Sequence, residues 1–197
     1  MAEVLVLYYS RGGSVRTLAD LVARGIESVP NMRARIRSVP PVAPITRVAE
    51  PPVPDQGAPY ARLDDLRECG ALALGSPTRF GNMAAPIKHF LDETGPLWLA
   101  GTLVDKPAAV FTSTGTHHGG QEATLLSMAL PLLHHGMILV GLPFSEASLQ
   151  RTSSGGTPYG ASHVAGAEDD RPITDDEKTL ALALGRRLAR ITAALNT

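Results

Sequence analysis

The sequence predicts an α/β fold, a doubly wound sheet of five parallel strands in the order 2-1-3-4-5, and three observations point to it. Short continuous apolar runs, such as Val4–Tyr9 and Ala71–Leu74, read as strands covered on both faces. Segments whose apolar residues recur at helical spacing alternate with them. Loops rich in glycine and hydroxyl side chains follow the first, third and fourth runs, where such sheets bind ligands.

Val4-Leu5-Val6-Leu7-Tyr8-Tyr9 forms the first strand. Leu18, Leu21, Val22 and Ile26 form the buried stripe of the first helix, with Arg16, Asp20 and Arg24 between them. Arg33–Val39 alternates charged and apolar residues, as a strand nearer the sheet edge does. Pro40–Pro59 contains seven prolines and is neither helix nor central strand; it reads as a long surface loop or an oligomer contact. Ala71–Leu74 is the third strand, followed by the loop Ser76–Met83. The next helix starts near Ala84, has Pro86 in its first turn and buries Ile87, Phe90 and Leu91. Ala108–Phe111 is the fourth strand, Gln121–Leu133 a helix and Met137–Leu142 the fifth strand. Pro143–Pro172 is a second long segment, rich in Gly, Ser and Pro. The last helix opens on Thr174 and Glu177 at capping-box spacing, and Leu180, Leu184, Leu188, Ile191 and Leu195 form its stripe. Residues 1–197 read as a single domain without internal repeats.

Composition narrows the function. Eighteen basic and 19 acidic side chains give a net charge of −1 with no basic block, which argues against a nucleic-acid partner. Cys69 stands alone, so no internal disulfide forms and a reducing cytoplasm is the expected location. The first apolar run lacks a basic leader, and no window approaches the roughly 20 apolar residues of a membrane span.

The loops suggest chemistry. In Ser10-Arg11-Gly12-Gly13-Ser14-Val15 two glycines let successive amides point inward, the serines add hydroxyls and the helix N-terminus adds its dipole. That suits a phosphate monoester; an ordinary glycine-containing strand-to-helix turn is the alternative reading. The turn has no cysteine nucleophile and no acidic phospho-acceptor, and the chain has no Gly-x4-Gly-Lys, Gly-x-Gly-x-x-Gly or Gly-x-Ser-x-Gly motif. The loop Ser76-Pro77-Thr78-Arg79-Phe80-Gly81-Asn82-Met83 offers an aromatic face, a guanidinium, a hydroxyl and free amides to a planar hydrogen-bonding ring. Ser113-Thr114-Gly115-Thr116-His117-His118-Gly119-Gly120 can meet the edge of such a ring. A metal at His117-His118 is disfavoured, because adjacent histidines do not easily share one ion and no carboxylate or thiol cluster joins them. His134-His135-Gly136 reads as dipole compensation and a glycine cap at a helix end. Trp98 follows a Gly-Pro turn and, on spacing alone, reads as core.

Tyr8-Tyr9-Ser10, Ser76–Met83, Ser113–Thr116 with Gly119-Gly120-Gln121-Glu122, His134-His135-Gly136-Met137 and Gly155-Gly156-Thr157-Pro158-Tyr159-Gly160 occur in that order. Together they resemble the flavodoxin-like NAD(P)H:quinone oxidoreductases of the WrbA type (type IV), over nearly the whole chain. The resemblance implies a flavodoxin-like sheet with long insertions after strands two and five, which fit tetramer contacts, and one FMN per subunit. It implies a homotetramer that completes the active sites. It also implies ping-pong, two-electron reduction of quinones by NADH or NADPH.

By the same resemblance Ser10, Arg11, Gly12, Gly13, Ser14 and Val15 hold the FMN phosphate. Pro77, Thr78, Arg79, Phe80, Gly81 and Asn82 line the ring, as do Ser113, Thr114, Gly115, Thr116, Gly119 and Gly120. His134 faces the flavin or its ligand and is the candidate proton donor to the quinone. Trp98 closes the quinone pocket from a neighbouring subunit. Two features depart from the family pattern. Gly12 stands where some members carry an aromatic residue that touches the pyridine nucleotide, which leaves the choice of NADH or NADPH open. The stretch from Thr116 to Gly119 is one residue longer than the common form, which leaves open which of its residues meets the flavin. An FMN-binding electron carrier or regulatory partner without turnover is the alternative function; the nearly neutral charge favours the enzyme.

Overall fold

The computed structural model describes residues 2–42 and 57–195. In chain order the elements are β1 (Ala2–Tyr8), α1 (Ser14–Glu27), β2 (Met32–Ser38), α2 (Leu63–Glu68), β3 (Ala71–Arg79), β4 (Asn82–Met83) and α3 (Ala85–Asp92). There follow α4 (Gly95–Leu99), β5 (Pro107–Thr114), α5 (Gln121–His134), β6 (Ile138–Leu139), α6 (Ala147–Arg151), β7 (Ala161–Val164) and α7 (Asp175–Leu195).

The main sheet is parallel with the order β2-β1-β3-β5-β6, as the strand pattern predicts. β1 shows why both faces must be covered. Val4 and Val6 face one apolar layer with α1 and α7, while Leu5 and Leu7 face another with α2, α3, α4 and α5. β2 is the edge strand, and its Arg33, Arg35 and Arg37 pair with Glu3, Asp65 and Glu68. Such charges discourage pairing with another chain.

Two segments differ from expectation. The fifth strand, expected over Met137–Leu142, is shared between two short strands. β6 pairs only Pro107 and Ala108, and the outer position is filled again when β7 returns beside Phe111–Thr114. Between them the Leu142 amide turns to the Pro158 carbonyl, and Pro143 has no N–H with which to continue the ladder. The stretch expected as the loop Ser76–Met83 instead continues β3 to Arg79 and reverses into β4. Most of Pro40–Pro59 lies outside the described residues. Its far end is tied to β2, where the Ser38 amide donates to Pro59 O and Ala61 to Ser38 O.

The capping box at α7 forms. Thr174 N–H donates to Glu177 Oε2 (2.8 Å) and Glu177 N–H to Thr174 Oγ1 (3.3 Å). Glu177 does far more than cap. It is fully buried and accepts from Ser154 Oγ (2.6 Å) and from the Gly155 (2.8 Å) and Val164 (3.1 Å) amides, and it meets His163 Nδ1 at 2.9 Å. Burial alone would raise its pKa, but the bonds from His163, Ser154, Thr174 and Val164 outweigh burial and hold it at about 2.

Its folded pKa lies below the unfolded value, so its stabilisation is complete above the ordinary carboxylate pKa of 4.5 and is lost as pH falls towards 2. Glu177→Ala is expected to cost about 3 kcal/mol at neutral pH and to flatten the stability profile between pH 4.5 and 2, measured by urea unfolding. At the crossing of α1 and α7, a Cβ on Gly185 would stand 2.1 Å from Val22 O. Gly185→Ala is expected to destabilise by about 1–3 kcal/mol, read from the same urea curves.

Candidate cofactor-binding cleft

Tyr8 of β1 pairs with Gly75 of β3, and Pro77 of β3 with Ser113 of β5, so the three strands end close together. The turn after β1 runs through residues 10–15. Gly13 N–H donates to Ser10 Oγ (3.1 Å), and Gly13 caps α1 with a φ of 109° that suits glycine. The first amides of α1 have no partner within the helix and carry its positive dipole end. The turn already holds an anion, for Ser14 Oγ donates to a carboxylate oxygen of Asp169 at 2.5 Å.

β3 and β4 form a hairpin whose two turn residues, Phe80 and Gly81, have φ of 53° and 75°. A left-handed pair of this kind is favoured by the strand twist and usually filled by Asn-Gly. Phe80 therefore sits in strained backbone, and its ring is fully exposed. The Thr78 hydroxyl donates to Gly119 O (3.3 Å) and accepts from Thr124 Oγ1 (2.8 Å), which ties β3 to the start of α5. Its hydroxyl proton is thus committed within the protein. The Thr114 hydroxyl likewise donates to Thr116 O (2.9 Å).

Ser10, Arg11, Gly12, Ser14, Val15, Pro77, Thr78, Arg79, Ser113, Thr114 and Gly115 line one cleft of about 480 Å3. Gly13 lines an adjoining depression of about 310 Å3, and Asn82 a more apolar one of about 650 Å3 beside Tyr9, Met83 and Pro86. Arg11 borders all three. Phe80, Gly81, Thr116, Gly119 and Gly120 form the turns just beyond, where Gly120 approaches Gly81 too closely for a side chain. Sequence reasoning missed one wall, Ala165, Gly166, Ala167, Glu168 and Asp169, which follow β7. The signal was present, since a short apolar run ends there in glycine and acids, but it lay inside the long segment Pro143–Pro172, to which the sequence pattern assigns no element.

Trp98 and His134 lie together but apart from this cleft. Trp98 Nε1 donates to His134 O (2.8 Å), and both side chains are exposed. His134 ends α5, about 20 Å of helix from the Gly120 end that borders the cleft. Gly136 and Met137 amides return to Leu133 O and Leu132 O, the glycine cap that the sequence predicts. The neighbouring His135 is buried against Thr94 Oγ1 (2.8 Å); burial, then the adjacent His134, lowers its pKa. Among the described residues no group of three or more His, Cys, Asp or Glu is placed to hold a metal.

A parallel sheet of this order, with a glycine turn and a hairpin at the ends of its central strands, defines a flavodoxin-like α/β protein. Solved structures support that fold. A WrbA-like flavodoxin from Agrobacterium tumefaciens has a TM-score of 0.68 at 22% identity, covering 98% of this chain and 99% of its own. A flavodoxin from the Archaea has a TM-score of 0.64 at 22% identity, with 97% and 99% covered. A protein of Solidesulfovibrio magneticus named NAD(P)H dehydrogenase (quinone) is 43% identical over 205 residues, 98% of each chain. The model of the NADPH-dependent FMN reductase family matches residues 3–148, and this chain belongs to that family. The cleft fits FMN: the Ser14 hydroxyl at the start of α1 already donates to a carboxylate, and a more apolar recess adjoins the turn.

Phe80→Asn relieves the strained turn and is expected to raise stability by about 1 kcal/mol while weakening FMN retention. Thermal unfolding with and without FMN separates the two effects.

Proposed function

We propose that residues 1–197 act as one FMN-binding unit that catalyses two-electron reduction of quinones by NADH or NADPH. The observation that carries this reading is the anion-binding turn after β1 in a chain 43% identical, end to end, to a protein named NAD(P)H dehydrogenase (quinone). When bound, FMN would supply the two-electron redox chemistry between nicotinamide and quinone. The protein binds, orients and shields. Residues 10–15 hold the phosphate with amides and the Ser10 and Ser14 hydroxyls. Pro77–Arg79 and Ser113–Gly115 line the ring. Because the Thr78 and Thr114 hydroxyl protons are committed elsewhere, backbone amides and the Arg79 charge are the groups that favour added negative charge on the ring.

Assembly completes the site in this reading. Leu126, Leu130 and Leu133 form an exposed stripe along α5, with exposed Trp98 at one end and exposed Phe80 near the other. An apolar face of this kind marks an association surface. Two copies packed antiparallel along α5 bring the Trp98–His134 end of one to the cleft end of the other. His134 then donates a proton to the quinone oxygen, and Trp98 forms a wall of the quinone pocket. A homotetramer in the cytoplasm is the state we assign; among the described residues no helix is long and apolar enough to cross a membrane.

Steady-state oxidation of NADH and NADPH with benzoquinone tests the activity. FMN-dependent turnover well above that of free flavin is expected; tight FMN binding without turnover would instead favour an electron carrier. His134→Ala is expected to lower kcat about 100-fold with FMN affinity unchanged, measured in the same assay and by flavin fluorescence. Leu130→Glu is expected to dissociate the tetramer in sedimentation velocity and abolish turnover while each chain still binds FMN.

A further inference from the structure

β7 leads into a tight turn over residues 165–171 that folds back across the cleft. Its base is firmly tied. Ala165 N–H donates to Thr114 O (2.8 Å) and Arg171 N–H to Ala165 O (2.9 Å), and the His163 ring spans Glu177 Oε2 (2.9 Å) and Arg171 O (3.1 Å). Its tip is exposed and carries three successive acids, Glu168, Asp169 and Asp170. Asp169 has a φ of 57°, a left-handed conformation that aspartate tolerates better than most residues.

This geometry sends the Asp169 side chain into the turn after β1. Asp169 Oδ1 accepts from Ser14 Oγ at 2.5 Å. Asp169 Oδ2 lies only 1.5 Å from where a Cβ on Gly12 would stand. Gly12 therefore leaves room that the carboxylate fills, and no larger residue at position 12 is compatible with Asp169 in this place.

We propose that Asp169 is a specificity-determining residue of the phosphate subsite, a resident anion that competes with the phosphate of FMN. The proposal rests on the FMN reading of this cleft. A phosphate at the helix N-terminus needs the Ser14 hydroxyl that Asp169 uses, and two anions repel each other at such range. Asp169 must swing out before the phosphate seats, which its exposed tip permits while the tied base stays in place. The apparent affinity for FMN is then reduced by the fraction of molecules in which the carboxylate holds the turn. Riboflavin, which lacks the phosphate, does not meet this competition. The chain thus discriminates less between the two flavins than the bare turn would.

Fluorescence titration of the full chain, freed of flavin, with FMN and with riboflavin tests this. Asp169→Asn is expected to tighten FMN binding about tenfold and to change riboflavin binding by less than about twofold. Asp169→Gly, which suits the left-handed backbone, should behave alike. Asp170→Asn removes the same charge from the same exposed turn at a residue outside the cleft lining and should change FMN affinity by less than about twofold. Equal FMN affinity in wild type and both Asp169 variants overturns the proposal. An equal gain for FMN and riboflavin also overturns it, because it would assign Asp169 a role in loop shape. An effect of Asp170→Asn as large as that of Asp169→Asn overturns it in favour of general charge. Wild-type protein and variants that bind no FMN would overturn the cofactor reading and this proposal together.

Discussion

The parallel register of β1, β3 and β5 is the constraint on which the rest depends. Tyr8 lies opposite Gly75 and Pro77 opposite Ser113, so three chains leave the sheet at one edge. Parallel strands cannot be joined by tight hairpins, and each must return through a helix. The turn that starts each return therefore falls at the carboxyl end of its strand, and the turns converge. A helix N-terminus, a strained hairpin and a glycine-rich loop meet there because the topology leaves them nowhere else to go. A slip of one residue in either pairing would turn alternate side chains to the wrong apolar layer, so the buried Leu5/Leu7 and Val4/Val6 faces hold the cleft in shape.

Much of this is legible in the sequence, for physical reasons that differ by segment. β1, β3 and β5 are continuous apolar runs because both of their faces are buried, and a short run of that kind between two helical segments fits a central parallel strand. The Thr174/Glu177 box is legible because capping is local. What is not legible depends on distant contacts. The outer strand divides because Leu142 finds Pro158 and β7 finds Phe111, pairings that no local pattern reveals. The Ser76–Met83 hairpin contains Pro77 and places Phe80 at a left-handed position, both contrary to local preference. Departures of this kind are expected where ligand contact and stability compete. The short helices α2, α4 and α6 have too few residues to display a period.

α5 separates two groups of residues that the sequence resemblance assigns to one site. Its first turn borders the cleft through Gly119 and Gly120, and its last residue, His134, lies beside Trp98. Within one chain a rigid helix keeps these groups about 20 Å apart. The resemblance to WrbA-type proteins assigns both groups to one active site, and a single chain cannot satisfy that assignment. In the proposed assembly the exposed leucine stripe along the second half of the same helix reconciles them, because a partner copy would cover it. Burial of that stripe and completion of the site thus become one event in the proposed assembly.

The buried Glu177 joins stability to the cleft by a different route. It gathers the start of α7, the Ser154 hydroxyl, the Gly155 amide, β7 and His163 around one carboxylate, and His163 in turn holds Arg171. The base of the 165–171 turn is therefore tied through His163 to the buried Glu177 and through Ala165 to β5. Its tip meets the cleft through Ser14 and otherwise points to solvent. A fixed base with an exposed, charged tip allows the tip to move without unfolding the strand beneath it. Gly12 belongs to the same arrangement: the space it opens is the space the tip enters. A difference at position 12 that looks like a lost nucleotide contact in the sequence is, in the folded chain, the seat of an acidic side chain from a strand end that is more than 150 residues away in the sequence.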